Sequence, residues 1–504
     1  MKLKGLGWIS RIRLEFSVMG HSGTDNIQEK LNPDWGKAFY QYEHVISSGN
    51  EAMRIKGTIK LAHLAKHAPE NILACAIPIL AELLSNGPSN NSSQPIQEAA
   101  VYCLKCIARR GDGGLATEIG ESGAIQSILR LLPDSDNGFR RVMIKCLWVL
   151  VNFGSMNREI VARNGGLEII INMLNLYRDA TRRYLLEILS ALTLLREVRR
   201  VLTSLGGLHF LVEAARCGSM VSRERACQAM GLLGVTRRVR RMLVELGVIP
   251  VLVELFRDGD SSTKLVVGNS LGVISAHIDY IRPVAQAGAI PLYAELLRGP
   301  EPIGREIAED VFCILAVAEV NAVEIAEHLV GILREGDDEA KAAAADVFWD
   351  LSGYKHAESV VRNSGAIPLL VELLREGNSE VKEKVSGAIA QLSYDEADRV
   401  ALANAGVIPF LIELMHGIDD SEELRDNAAE ALINFSEDPL HCDRISEAID
   451  IPAFQYMRNT LSRIRASDEN MVRSLRRIRA SDEHMVRSLR RISIDQLTWD
   501  PDRV

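Results

Sequence analysis

The chain has 504 residues, of which 47% are hydrophobic, 5% aromatic and 25% charged, and its formal net charge is −9. No apolar run approaches the ~18 residues that argue for a membrane span, and no basic-then-apolar signal opens the chain. The eight cysteines are scattered through predicted helices, which argues against a secreted disulfide framework. These features predict a cytoplasmic or nuclear protein.

Residues 1–45 do not match the pattern that fills most of the chain. Their opening is basic, with Lys2, Lys4, Arg11 and Arg13 preceding the first acid. We expect an N-terminal extension that is disordered or that caps the following domain. Contact with an anionic membrane surface and a role as a transit peptide are the alternatives.

Residues 46–457 repeat a helical unit that is clearest at residues 362–393. Gly365 is placed to end one helix in the left-handed conformation that glycine adopts most cheaply. Pro368 falls in the first turn of the next helix, where its missing N–H costs no hydrogen bond. Ser379 is placed as the N-cap of a longer third helix. Helices this short cannot bury a core alone, so the pattern predicts a stack of copies.

The copies recur at a period near 41 residues, which is typical of a solenoid. The same turn followed by an apolar helix is predicted at Cys75, Gly123, Gly165, Gly206, Gly247, Gly288, Glu324 and Gly406. The interval that ends at Glu324 is 36 residues. We expect the first and second helices to be fused or trimmed there, with a local bend of the stack at about residues 318–328.

This pattern of a short helix, a GxIPxLVxLL helix and a longer helix resembles the armadillo repeat over roughly residues 50–455. The nearest-looking relatives are plant-type proteins built of armadillo repeats and little else. The resemblance implies an all-α fold, a right-handed armadillo-type α-solenoid of about nine to ten three-helix repeats with flexible termini. It also implies a non-enzymatic protein-interaction scaffold or adaptor.

In armadillo proteins the third helix lines a concave groove and often carries a Trp, with an Asn four residues later that bonds an extended peptide. The intact pair occurs once here, as Trp148 and Asn152, and Trp148 either lines a groove or is a core aromatic. Trp349, Tyr394 and Asn434 occupy related positions without the full pair. Because one net hydrogen bond is worth only ~0.5–1.5 kcal/mol, we do not expect a general nuclear-import receptor resembling importin-α.

Two regions of opposite charge suggest a different mode of binding. Residues 130–241 contain 19 Lys and Arg against 9 Asp and Glu, whereas residues 295–450 contain 12 against 34. The predicted groove residues are Arg141, Lys145, Trp148, Asn152, Arg183, Glu306, Asp310, Asp346, Trp349, Glu383, Tyr394, Asp426, Glu430 and Asn434. The leading hypothesis is a charge-polarised groove whose acidic half captures Lys/Arg-rich or extended segments of other proteins. An ordinary solvated surface is the alternative.

Other functions find less support in the sequence. A membrane-associated adaptor held by basic ends, or a substrate-recognition subunit of a larger complex, remains open. Nucleic acid is not expected, because the basic region lacks interleaved aromatics and its acidic neighbour repels phosphate. No catalytic motif is present, and neither Cys103/Cys106 nor His63/His67 has further ligands in view. We therefore expect no enzyme activity, metal, cofactor or small-molecule substrate.

Residues 458–504 form an Arg-rich tail. Residues 463–476 and 477–490 are a tandem duplicate that differs at one position. The tail could fold back onto the acidic half, rest on anionic lipid, pair with another helix or be disordered. Ser493 follows two arginines and is a candidate phosphorylation site, where a phosphate would subtract up to about two charges.

Overall fold

A computed structural model gives the fold. It describes residues 34–85, 93–110, 113–354, 358–416, 421–438, 441–445, 451–452, 454–456 and 458–459. The regular structure of these residues is helical, and no strand occurs within them. The predicted all-α class is confirmed.

The described chain divides into two compact units, the first ending at Ala229 and the second beginning at Met230. The helices of the first unit are α1 (Trp35–Ser48), α2 (Glu51–Leu64), α3 (Glu70–Leu84), α4 (Gln94–Ile107), α5 (Ala116–Glu121), α6 (Ala124–Leu131), α7 (Asn137–Phe153), α8 (Ser155–Arg163), α9 (Gly166–Leu176), α10 (Arg182–Leu192), α11 (Arg196–Leu202) and α12 (Leu208–Cys217).

Helix α13 (Met220–Gly234) crosses this division. The helices of the second unit are α14 (Arg237–Glu245), α15 (Val248–Asp258), α16 (Ser261–Ser275), α17 (Ile278–Gln286), α18 (Ala289–Leu297), α19 (Pro302–Leu315), α20 (Glu319–Glu335), α21 (Asp338–Ser352), α22 (Glu358–Asn363), α23 (Ala366–Glu376), α24 (Ser379–Leu392), α25 (Glu396–Asn404), α26 (Val407–His416) and α27 (Glu422–Ser436). A 3₁₀ helix, Cys442–Ile445, follows α27.

The turn between the first and second helix of a repeat is made by a left-handed glycine. All seven glycines predicted for this role have φ between +70° and +86°. They are Gly123, Gly165, Gly206, Gly247, Gly288, Gly365 and Gly406. A left-handed residue reverses the chain within one position, and only glycine does so without a steric cost. The predicted turns at these seven positions are confirmed.

Three local predictions were wrong. Cys75 lies inside α3 and Glu324 inside α20, so neither residue makes a turn. Neither position is glycine, and a helix continues where no residue readily adopts a positive φ. The expected fusion of first and second helices at residues 319–335 is therefore confirmed. The cap of α24 is Asn378 and not Ser379, because the Asn378 side chain accepts the hydrogen bond from the Val381 amide.

In each unit the third helices of successive repeats lie side by side. In the first unit α2, α4, α7 and α10 contact one another in that order. In the second unit α16, α19, α21, α24 and α27 do the same. Leu, Ile, Val and Ala fill the seams between them and are almost fully buried. Burying one such Leu or Ile side chain contributes ~1.5–3 kcal/mol, which is why stacked repeats are stable where single hairpins are not.

The predicted boundary between residues 45 and 46 falls inside α1, which packs on α2 and buries Tyr42. Residues 1–33, the duplicated segment and Ser493 lie outside the described residues, so the roles predicted for them stay predictions.

Among the helices that are described, none is by itself both long and apolar enough to cross a membrane. One bent pair, α25 with α26, passes the same test by length and composition only.

Candidate partner-binding faces

The third helices of the first unit carry the groove residues predicted for that half. Helix α7 holds Arg141, Lys145, Trp148 and Asn152, and α10 holds Arg183. Arg141 and Arg183 are exposed, whereas Lys145, Trp148 and Asn152 are half-buried where α7 packs between α4 and α10. Residues of α10 contact two of them, Tyr184 the ammonium of Lys145 and Glu187 the indole of Trp148.

A buried carboxylate, that of Glu187, joins two of these residues. The Trp148 indole Nε1–H donates to one of its oxygens, and Arg183 Nε donates to the other across 3.1 Å. The Glu187 side chain is 5% exposed and that of Arg183 is 66% exposed. The negative charge of Glu187 is thus compensated inside the fold, while much of Arg183 faces solvent. Sequence reasoning missed Glu187, since no local signal links it to a tryptophan one repeat earlier.

The amide of Asn152 is occupied within the protein. Its Nδ2 donates to the Trp148 carbonyl oxygen at 2.8 Å, and its Oδ1 accepts from Arg225 Nη1 at 2.6 Å. Arg225 is only 2% exposed, and burial, followed by the neighbouring Arg158, lowers the pKa of its guanidinium to about 10. A peptide backbone could bond this amide only through its second N–H or second lone pair, or by displacing an internal partner.

Aromatic rings lie among the cations of this surface. The Lys105 ammonium lies 4.3 Å from the centroid of the Tyr102 ring. Two further cations lie over rings at 5.4 Å, namely Arg109 over Trp148 and Lys145 over Tyr184. The expectation that the basic region lacks interleaved aromatics was therefore wrong. The rings are far apart in sequence, and the stacking of α4, α7 and α10 brings them together.

We call this surface the basic face, and it comprises Tyr102, Lys105, Arg109, Arg141, Lys145, Trp148, Arg183 and Tyr184. Its cations are close enough to influence one another. Burial lowers the pKa of Lys105, and the positive charges of Arg109 and Lys145 lower it further, against an opposing influence of Cys106 and Cys146.

In the second unit the predicted residues lie on four successive third helices. Helix α19 carries Glu306 and Asp310, α21 carries Asp346 and Trp349, α24 carries Glu383, and α27 carries Asp426, Glu430 and Asn434. Tyr394 follows α24 and donates a hydrogen bond to Glu430. Two further contacts join α24 or the residue after it to the next repeat: Ser421 Oγ to Glu383 Oε2, and Asn434 Nδ2 to Ser393 Oγ, both at 2.8 Å.

We call the carboxylates of these helices the acidic face, and it comprises Glu306, Glu309, Asp310, Asp346, Asp350, Glu383, Glu423, Asp426 and Glu430. Like charges act on one another here too. Burial and the charges of Glu422 and Glu430 raise the pKa of Asp426, partly offset by Arg425. Glu306 and Asp426 are exposed, whereas Asp310 is only 7% exposed.

One lysine, Lys384, lies among the carboxylates of the acidic face. Lys384 Nζ is 3.1 Å from Asp346 Oδ1. Burial alone would lower the pKa of Lys384, yet the contact with Asp346 and the charges of Glu309 and Glu423 raise it above its ordinary value. The acidic face therefore favours a bound cation despite the partial loss of water.

A buried thiol lies beneath the same carboxylates. Cys313 Sγ donates to Asp350 Oδ2 at 3.2 Å. Burial, followed by the charges of Asp350, Asp310 and Asp346, raises the pKa of Cys313 well above its ordinary value. The thiol stays neutral and does not offset the negative charge of the face.

The indole ring of Trp349 packs against Gly387 on the next third helix. A Cβ built on Gly387 would lie 2.3 Å from the Trp349 ring atoms Cε3 and Cζ3. The glycine makes room for the indole, which is half-buried.

Among the described residues, no group of three or more His, Cys, Asp or Glu side chains is arranged to hold a metal ion.

Known proteins were found that resemble this chain in sequence or in fold. Residues 356–394, one complete repeat, match the family model of the armadillo/beta-catenin-like repeat. The crystal structure of an engineered protein matches 79% of this chain and 98% of its own length, with 20% identity and a TM-score of 0.58. A designed armadillo repeat protein matches 45% of this chain and 99% of its own, with 20% identity and a TM-score of 0.37. No curated protein matches the sequence.

The first of these structures supports the fold alone, since its identity to this chain is low. The family match supplies the repeat itself, and its three-helix unit with a left-handed glycine recurs in both units of the chain. The armadillo-type α-solenoid predicted from the sequence is confirmed, and one of its repeats, residues 356–394, matches the armadillo/beta-catenin-like repeat family.

Proposed function

We propose that the chain is a non-enzymatic scaffold whose acidic face binds Lys/Arg-rich segments of partner proteins. Armadillo repeats generally bind other proteins and act as scaffolds without catalysis. The partner chemistry, the adaptor role and the residues named below are the proposal. The likeness to plant-type armadillo proteins likewise stays a prediction.

The state of Lys384 is the observation that carries the proposal. This ammonium is partly withdrawn from water, and the carboxylates around it raise its pKa all the same. Since a pKa above the ordinary value means that the protonated form is favoured, the site attracts positive charge more strongly than burial repels it. A partner's lysine or arginine would enter the same field.

The excess of negative charge around Lys384 continues along the second unit. Residues 295–450 carry 34 acidic and 12 basic residues, which favours rapid, salt-sensitive association with a basic segment. The half-buried indole of Trp349 lies on α21 with Asp346, and in this proposal it stacks on a partner's guanidinium, a contact worth ~0.5–1 kcal/mol at exposed sites.

The asparagines of the third helices argue for side-chain recognition. Asn152 is held by Arg225 and by the Trp148 carbonyl, and Asn434 donates to Ser393. Neither amide is presented freely for a row of hydrogen bonds along a peptide backbone. Charge on the partner's side chains, and not a backbone ladder, supplies the affinity in this proposal.

Neutralisation of three positions on the acidic face, exposed Glu306 and half-buried Glu383 and Glu430, tests it. In the full chain, Glu306→Gln, Glu383→Gln and Glu430→Gln would be combined, and binding of a fluorescein-labelled Arg/Lys-rich peptide followed by anisotropy. Three partly exposed charges at ~0.5 kcal/mol each predict about a tenfold loss of affinity, which shrinks as salt is raised.

A matched control removes the same charge from second helices. Glu327, Glu372 and Glu413 are exposed on α20, α23 and α26, and each would be changed to Gln. We expect this triple variant to bind within about twofold of wild type. Equal losses in the two triple variants would mean that bulk charge, and not this face, attracts the peptide. Unchanged binding of the first variant would refute the proposal.

A further inference from the structure

The basic face of the first unit holds three cations around aromatic rings. The Trp148 and Tyr184 rings meet edge to face with centroids 5.3 Å apart. Arg109 lies on the Trp148 side of this pair and Lys145 on the Tyr184 side. Lys105, over the ring of Tyr102 one helix away, feels both charges. Three helices, α4, α7 and α10, thus contribute to one concentration of positive charge.

Neighbouring acids compensate little of this charge. Glu187 is buried and accepts from Trp148 and Arg183. Asp179 lies near Arg141 and Arg140 and accepts hydrogen bonds from Thr181, which help to lower its pKa although burial opposes this. Glu98 on α4 is buried beside Asp136, and burial, followed by the charge of Asp136, raises the pKa of its carboxyl to about 7, so that it is only partly ionised at neutral pH. Within the described residues, no ion pair joins these acids to the three cations on the rings.

We propose that the basic face is a binding site for a phosphorylated segment of a partner protein, with the phosphate held by Lys105, Arg109 and Lys145. The site is separate from the acidic face, and its existence does not depend on the function proposed for the second unit. It adds a second chemical class of ligand to the same scaffold.

The crowding of the cations favours phosphate over a carboxylate. Each of the three repels the other two, and a ligand relieves this repulsion in proportion to its own negative charge. A phosphoserine carries about −1.5 to −2 charges and three strong acceptor oxygens, whereas a carboxylate carries one charge and two oxygens. Lysine ammonium and arginine guanidinium groups donate the charge-assisted hydrogen bonds that such an anion accepts.

The same geometry argues against single-stranded nucleic acid. Proteins that bind single strands stack successive bases on exposed aromatic faces. Here Lys105, Arg109 and Lys145 lie over the rings of Tyr102, Trp148 and Tyr184, and the last two rings also pack on each other. A base would have to displace the cations that attract its own phosphate.

The test compares four labelled probes on the full chain by fluorescence anisotropy. They are a short Gly/Ala-rich peptide with two phosphoserines, its aspartate counterpart, its serine counterpart and an oligouridine. We expect the phosphopeptide to bind about tenfold or more tightly than the aspartate peptide, and the serine peptide to bind least. Equal affinity for the phosphoserine and aspartate peptides, or tighter binding of oligouridine, would overturn the proposal.

Two triple variants locate the site. The variant Lys105→Gln, Arg109→Gln and Lys145→Gln is expected to lose phosphopeptide binding by about tenfold or more. The control Lys66→Gln, Arg163→Gln and Arg216→Gln removes equal charge from exposed positions on other surfaces of the unit and is expected to bind as wild type does. Undiminished binding by the first variant, or equal loss in both, would show that the phosphate is not held here.

Lys105 is half-buried, so the triple variant could fold poorly. The single variant Lys145→Gln keeps Lys105 and Arg109 and is the safeguard, with helicity and melting temperature followed by circular dichroism. It is expected to weaken phosphopeptide binding by about threefold to fivefold, and Lys145→Arg to restore it, because a cation over Tyr184 is retained. Full affinity in Lys145→Gln would count against the proposal.

Discussion

The side-chain oxygen of Asn152 accepts a hydrogen bond from the guanidinium of Arg225 across 2.6 Å. This contact joins the third helices of two non-adjacent repeats and fills the acceptor of the only intact Trp–Asn pair in the sequence. One of its two amide N–H groups is engaged as well, with the Trp148 carbonyl. Both members of this Trp–Asn pair therefore make hydrogen bonds within the first unit, Trp148 with Glu187 and Asn152 with Arg225.

The Asn152–Arg225 contact predicts a cost in stability. Asn152→Ala leaves a buried guanidinium with one fewer acceptor, and hydrogen bonds to charged groups are worth ~1.5–3 kcal/mol. We expect a clear fall in melting temperature by differential scanning calorimetry. Asn164→Ala, at an exposed asparagine that bonds only the Ile160 carbonyl of its own helix, should change it much less. Equal effects would mean that the Arg225 contact contributes little.

Glu98 predicts a pH dependence. Burial, followed by the charge of Asp136, raises the pKa of Glu98 to about 7 from an ordinary 4.5. Between these values the folded chain binds more protons than the unfolded chain, so the free energy of unfolding falls as pH rises through this window. Glu98→Gln removes the carboxylate that must ionise.

We therefore expect Glu98→Gln to melt at a higher temperature than wild type near pH 8, and the gain to vanish near pH 4. Thermal denaturation at both pH values checks this, with Glu118→Gln, an exposed carboxylate on α5, as the control. A gain of the same size at both pH values would contradict the assignment.

The contact of Trp349 with Gly387 predicts that even one added methyl group is harmful. In Gly387→Ala the Cβ would overlap the indole ring, and overpacking of this kind costs ~1–3 kcal/mol. Gly331→Ala is the control, since its Cβ would meet only the flexible end of Arg298. If overlap with Trp349 causes this loss, the double variant Gly387→Ala, Trp349→Leu should lose less free energy of unfolding than the sum of the losses in the two single variants. If the losses of the two single variants simply add in thermal melting experiments, overlap with Trp349 is not the cause.

The repeat turn at Gly365 predicts a purely conformational cost. Its φ is +77°, and a Cβ there would meet no atom within 4 Å. Gly365→Ala is therefore expected to lose ~1–2 kcal/mol through the backbone alone, and Gly365→Asn less, because asparagine tolerates the left-handed conformation better. Hydrogen exchange of α23 amides would report the loss. An alanine variant as well protected as wild type would show that the turn does not require glycine.

The sequence by itself determined the repeat, the left-handed glycine turns and the placement of charged residues on third helices. These features depend on helical periodicity and on the conformational needs of single residues, which act over a few positions. The same local rules explain the errors: at Cys75 and Glu324 the period was right, yet without a glycine the helix continued.

Only the tertiary structure decided which side chains meet. Trp148 with Glu187, Asn152 with Arg225, and Lys384 with Asp346 are partners from different repeats. The rings of Trp148 and Tyr184 beneath Arg109 and Lys145 likewise depend on stacking, whereas Tyr102 lies three residues from Lys105 on one helix. Stacking sets these contacts through the offset of one third helix against the next, and periodicity within a single helix carries no information about that offset.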